Sequence, residues 1–127
     1  MIKKTITYTD YNGTERTETF YFNLSKAELA EMQLSANGGF ETYINKIVEA
    51  QDGKSMIKIF KDLILMSYGE KSTDGKRFIK NDELRDSFAQ TEAYSELFME
   101  LVTDDKAAAE FINGIMPNEI QNELKKN

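Results

Sequence analysis

The chain has no histidine, no cysteine and no tryptophan among its 127 residues, and a single proline. Histidine is the one side chain whose unperturbed pKa lies near neutrality, and thiolates are the strongest common protein nucleophiles. Their absence excludes most acid/base relays, thiol-based covalent catalysis and the usual zinc sites. Disulfides are excluded as well, which fits a reducing cytoplasm. Long apolar runs are also missing. The N-terminus, Met1-Ile2-Lys3-Lys4-Thr5-Ile6-Thr7, starts basic but then alternates with threonine, so it is not read as a signal peptide. The sequons at Asn12-Gly13-Thr14 and Asn23-Leu24-Ser25 are then chance matches.

Hydrophobic residues make up 40% of the chain and charged residues 30%, too apolar for a disordered chain and too polar for a bilayer. The length suits one domain, burying about two-thirds of its unfolded surface. The expected layout is a β-hairpin over 1–23, a helical body over 24–116 and a polar tail over 117–127. A net charge of −6 argues against nonspecific nucleic-acid binding, because phosphates demand clustered Lys and Arg. The nearest cluster, Lys71, Lys76, Arg77 and Lys80, is interleaved with Glu70, Asp74, Asp82 and Glu83 and reads as a solvated loop.

Periodicity sets the fold class at α+β, an N-terminal hairpin on five to six helices. Asp10-Tyr11-Asn12-Gly13 is a strong turn signal. A two-residue Asn-Gly turn would pair even positions with odd ones and put Ile2, Ile6 and Tyr8 beside Thr17 and Thr19. A type I turn with Gly13 as a left-handed bulge pairs even with even. Ile2, Ile6, Tyr8, Phe20 and Phe22 then share an oily face, and Lys3, Thr5, Thr7, Thr9, Glu15, Thr17 and Thr19 a wet one. The bulged register is preferred because it wastes no apolar surface.

Ser25 and Glu28 form a capping box, with Leu24 and Leu29 placed to staple the first turn. That helix should end by Asn37-Gly38-Gly39. A second follows with Phe40, Tyr43, Ile44, Ile47 and Val48 on one face, closed by Asp52-Gly53. A third, from Ser55 to Tyr68, has little polar face and is expected to be the most buried. Gly69 to Lys80 reads as two short extended pieces about Thr73-Asp74-Gly75-Lys76. Asn81 or Asp82, Thr91 and Thr103-Asp104 start three further helices, and Pro117 ends the last.

No pattern in the chain carries catalysis. Gly53-Lys54-Ser55 evokes a P-loop, but Val48 stands where its first glycine is needed. The pairs Asp82-Glu83 and Asp104-Asp105 sit at helix starts, where the dipole favours negative charge without a metal. No calcium-loop spacing exists. Neither catalytic, cofactor nor metal-ligating residues are therefore assigned. Of the methionines, Met32, Met56 and Met66 are expected in the core. Met99 and Met116, with Phe98, Phe111 and Ile112, are the candidate groove for a partner helix, since thioethers suit adaptable surfaces. Serine at Phe111 and Met116 should weaken such binding; simple loss of stability would show them to be core.

The stretches Ser67-Tyr68-Gly69-Glu70-Lys71-Ser72-Thr73-Asp74-Gly75-Lys76-Arg77-Phe78-Ile79-Lys80, Thr91-Glu92-Ala93-Tyr94-Ser95-Glu96-Leu97-Phe98-Met99-Glu100-Leu101 and Ala107-Ala108-Ala109-Glu110-Phe111-Ile112-Asn113-Gly114-Ile115-Met116-Pro117 resemble tail assembly chaperones of long-tailed, siphovirus-type bacteriophages of Gram-positive bacteria. The resemblance covers almost the whole chain and rests on overall sequence. It implies a small non-enzymatic protein of the host cell cytoplasm, absent from the mature virion. Its partners would be the tape measure protein and tail tube protein, with homo-oligomerisation open and neither nucleic acid nor membrane involved. Two other classes stay open on the residues themselves. One is a small acidic phage-encoded inhibitor or DNA mimic binding a host protein; the other is a carboxylate-dependent hydrolase. Many relatives of the family it resembles also have a longer form made by ribosomal frameshifting. Lys125-Lys126-Asn127 is compatible with the slippery codons A-AAA-AAC. Sequencing the gene checks this, since AAG at Lys126 would rule out slippage there.

Overall fold

The computed structural model describes residues 1–35 and 53–117, the side chains of 32–35 and 53–56 excepted. The expected second helix with Phe40, Tyr43, Ile44, Ile47 and Val48, the core placements of Met32 and Met56, and the tail after Pro117 lie outside that description.

The chain opens with β1 (Ile2–Thr9) and β2 (Glu15–Phe22), paired antiparallel with Ile2 opposite Phe22 and Tyr8 opposite Arg16. This is the even-with-even register that the distribution of apolar residues requires. The turn that sets it has Gly13 at φ +83° and its amide on the Asp10 carbonyl at 3.0 Å. The Asp10 carboxylate accepts from the amides of Asn12 and Thr14, each at 2.9 Å, and from Arg16 Nε at 2.6 Å. On the wet face the hydroxyls of Thr5 and Thr19 meet at 3.1 Å and those of Thr7 and Thr17 at 3.0 Å. On the other face Ile6 and Phe22 are buried, with Ile2, Tyr8 and Phe20 packed partly beneath the helices.

The helices are α1 (Lys26–Ser35), α2 (Gly53–Ser67), α3 (Asp82–Ala89), α4 (Glu92–Thr103) and α5 (Asp105–Ile115). With the hairpin they make an α+β fold. Their starts follow capping chemistry. Ser25 Oγ accepts from the Glu28 amide at 3.1 Å while Glu28 Oε1 accepts from the Ser25 amide at 2.9 Å, a complete capping box. Asn81, not Asp82, caps α3, and Thr91 and Asp104 cap α4 and α5. The third expected helix begins two residues earlier than Ser55 and stops one residue before Tyr68. It stops because Tyr68 leaves for the sheet.

That departure produces the feature least visible in sequence. The two extended pieces after α2 are β3 (Tyr68–Lys71) and β4 (Phe78–Ile79), and they continue the hairpin into a four-stranded antiparallel sheet of order β1-β2-β3-β4. Tyr21 pairs with Gly69 and Phe22 with Tyr68. A side chain at position 69 would put its Cβ 2.7 Å from the Phe78 ring and 2.9 Å from the Ile79 carbonyl, so only glycine lets β4 close over β3.

The core lies between the sheet's oily face and α2, α4 and α5, built from Phe22, Leu24, Leu29, Phe60, Leu63, Ile64, Leu97, Leu101, Phe111, Ile115 and Met116 among others. The wholly apolar look of α2 does not mean complete burial, since Ile57 near its start is 50% exposed. Between β2 and α1 the backbone itself ties helix ends together. The Asn23 amide donates to the Ser67 carbonyl at 2.7 Å and the Leu24 amide to the Ile115 carbonyl at 2.8 Å. Carbonyls at the C-terminal ends of α2 and α5 thereby gain donors that those helices cannot supply.

Gly114 lies where α5 crosses β1, and a Cβ there would stand 2.7 Å from Ile2 Cδ1 and 2.8 Å from Ile2 Cβ. Alanine favours a helix over glycine by about 1 kcal/mol, whereas overpacking costs about 1–3 kcal/mol. Crowding wins because a backbone-near Cβ contact cannot be relieved by a rotamer change. Gly114→Ala should lower stability by about 1 kcal/mol or more in urea denaturation; equal or greater stability would show that Ile2 moves aside freely.

Candidate partner-binding surface

The candidate groove residues divide by depth. Phe111 and Met116 are 1% and 0% exposed, inside the core. Phe98 and Ile112 are half-buried and packed against it, and Met99 is 52% exposed on α4. The same helix places Ala93, Leu97 and Leu101 inward, so Met99 falls on its outer side by helical spacing. Phe111 is locked by an edge-to-face contact with Phe22, ring centroids 5.3 Å apart. Of these five residues Met99 is the most exposed, and Phe98 and Ile112 keep part of their surface open.

The basic stretch that sequence placed in a loop is dispersed. Lys80 donates to the Asn23 carbonyl at 2.6 Å and to Glu28 Oε2 at 2.7 Å. Lys71 lies 4.4 Å above the Tyr21 ring. Lys76 and Arg77 belong to the turn, where Ser72 and Asp74 bind their amides at 3.0 Å. No phosphate-gathering patch results.

The Lys80 and Glu28 pair clasps the start of α1 to the strand end before α3. Burial alone would raise the Glu28 carboxyl, but the hydrogen bonds from Lys80 and the Ser25 amide outweigh it and hold the group below its ordinary value. Burial dominates at Lys80 and pulls its ammonium down, despite the carboxylate beside it. The contact thus favours the charged carboxylate while costing the ammonium some hydration.

A cleft of about 350 Å³ opens where β2 and β3 separate after their short pairing, with Glu18, Thr19 and Phe20 on one side and Tyr68 and Glu70 on the other. Sequence reading missed it because pairing of Tyr68 and Gly69 with β2 leaves no periodic signature over so few residues. Burial, and then the charges of Glu70 and Glu18, push the Tyr68 phenol upward. Among the described residues no group of acids could hold a metal ion. No described helix is long and apolar enough to cross a membrane.

Compared with known families, the chain matches the phage tail assembly chaperones over residues 1–127, and it belongs to that family. No curated protein matches it, and no solved structure does. The family indicates protein partners in the assembly of a phage tail.

The folded-state value of Glu28 lies below its unfolded one, so its contribution to stability is complete above the ordinary glutamate range and is lost as pH falls through the depressed value. Glu28→Gln should flatten the acid side of the profile of urea midpoint against pH. Asp10 is also held low, first by Arg16, and Asp74, first by the Ser72 hydroxyl, so a residual acid slope belongs to both proteins. An unchanged slope in the variant would show that the clasp is solvated in solution.

Proposed function

We propose that this chain is a non-enzymatic chaperone that covers the tape measure protein of a siphovirus-type phage of Gram-positive bacteria and helps bring tail tube subunits to it. Membership of the phage tail assembly chaperone family carries this reading. The chemistry of the chain agrees with it. A tape measure protein is expected to be a long helical polypeptide that aggregates unless covered. Many weak chaperone contacts along such a chain give avidity and still let each copy be displaced as the tube grows. Its place of action would be the host cytoplasm before the virion is complete.

The contact would be an amphipathic helix laid over the outer side of α4. Met99 would meet it directly, Phe98 and Ile112 through their exposed rims, and Phe111 and Met116 would support that surface from beneath. Truncating Phe111 would cost about 3–5 kcal/mol of folding stability, as for any buried phenylalanine. Binding is better tested at Met99.

Co-expression with the tape measure protein encoded beside it should render that protein soluble, and Met99→Asp should reduce the soluble fraction while leaving this chain's urea midpoint unchanged. The gene should also lie between those of the tube and the tape measure. A tape measure protein equally soluble without this chain would sink the proposal.

A further inference from the structure

The hairpin register decides which backbone groups of β2 are in use. Because the Asp10 amide bonds the Thr14 carbonyl, the even positions of β2 direct their amides and carbonyls toward β1, and the odd ones direct theirs away. On that outer side Tyr21 is met by Gly69 and the Asn23 amide by the Ser67 carbonyl. Among the described residues no strand meets Glu15, Thr17 or Thr19. The cleft opens directly beside this bare edge.

The two faces of the cleft differ in charge. Lys71 belongs to the face of Tyr21, over whose ring it lies. By strand alternation Glu18 and Glu70 share the opposite face with Phe20 and Tyr68. Tyr8 holds Glu18 through its hydroxyl. Arg16, on that face, has its guanidinium on Asp10, with the charge of Glu18 a weaker influence on it. Neither Glu18 nor Glu70 pairs with a cation among the described residues. In the register that pairs Tyr21 with Gly69, Glu70 falls opposite Phe20, so Glu18 and Glu70 stand diagonally on that face.

We propose that the open edge of β2 accepts an extended basic segment of a partner polypeptide, which bonds the backbone at Thr17 and Thr19 and places a lysine or arginine between Glu18 and Glu70 above Phe20. A residue opposite Glu18 on an added strand has its side chain on the acidic face and within cross-strand reach. Its cation meets two carboxylates, and its stem lies along the exposed part of Phe20. The added strand ends where Gly69 takes over the edge. This inference does not rest on the identity of the helix covered by α4.

The test uses the full chain and short synthetic peptides that alternate valine with lysine, with glutamate in place of lysine, or with lysine and alternate N-methylated amides. The lysine peptide should bind saturably by NMR titration and slow amide exchange at Thr17 and Thr19. The glutamate and N-methylated peptides should not. Glu18→Gln with Glu70→Gln, at exposed positions and checked for an unchanged urea midpoint, should weaken the lysine peptide about tenfold, which is what two exposed ion pairs supply together. Absence of saturable binding, equal binding of either control peptide, or an unaffected double variant would each overturn the proposal. So would sedimentation showing that a second copy of the chain already occupies the edge, with Thr17 and Thr19 protected before any peptide is added.

Discussion

Phe22 is the residue on which the architecture converges. It ends β2, is fully buried, and meets Tyr68 of β3, Phe88 of α3 and Phe111 of α5 at centroid separations of 5.8, 5.8 and 5.3 Å. Tyr68 and Phe88 stack at 4.2 Å beside it. Each such pair adds about 0.5–1.5 kcal/mol beyond the area it buries. The larger consequence is geometric. The rings fix where β3 joins the sheet, and therefore where β2 is left bare. Immediately after Phe22, the amides of Asn23 and Leu24 fasten the ends of α2 and α5. One strand end thus sets the position of the helical body on the hairpin.

Local chemistry was readable from the residues because its causes are local. The capping box at Ser25, the caps at Asn81, Thr91 and Asp104, and the register of the hairpin each depend on side chains within a few positions of one another. Even the choice between two hairpin registers followed from which alternative strands an apolar face in water. What escaped was nonlocal. The union of Tyr68–Lys71 with β2 depends on residues far apart in sequence, and a pair of bonded positions has no period to detect. Glycine at 69 was the one available hint, and its reason is visible only beside Phe78 and Ile79.

The candidate groove shows a second limit. Helical spacing tells which residues share a stripe, but not whether the stripe faces the core or a partner. Phe111 and Met116 satisfy the pattern of either, and both lie inside. Met99 stands two positions from both Leu97 and Leu101, about 200° around the helix, and that offset is what exposes it. The acids of the β2 edge were counted in the net charge without any sign of their shared face.

The first strand leans on the last helices. Ile2 abuts Gly114, Lys4 pairs with Glu100 at 3.0 Å, and Leu24 donates to Ile115. A hairpin that forms early therefore waits for α4 and α5, distant in sequence, before the oily face of its first strand is covered.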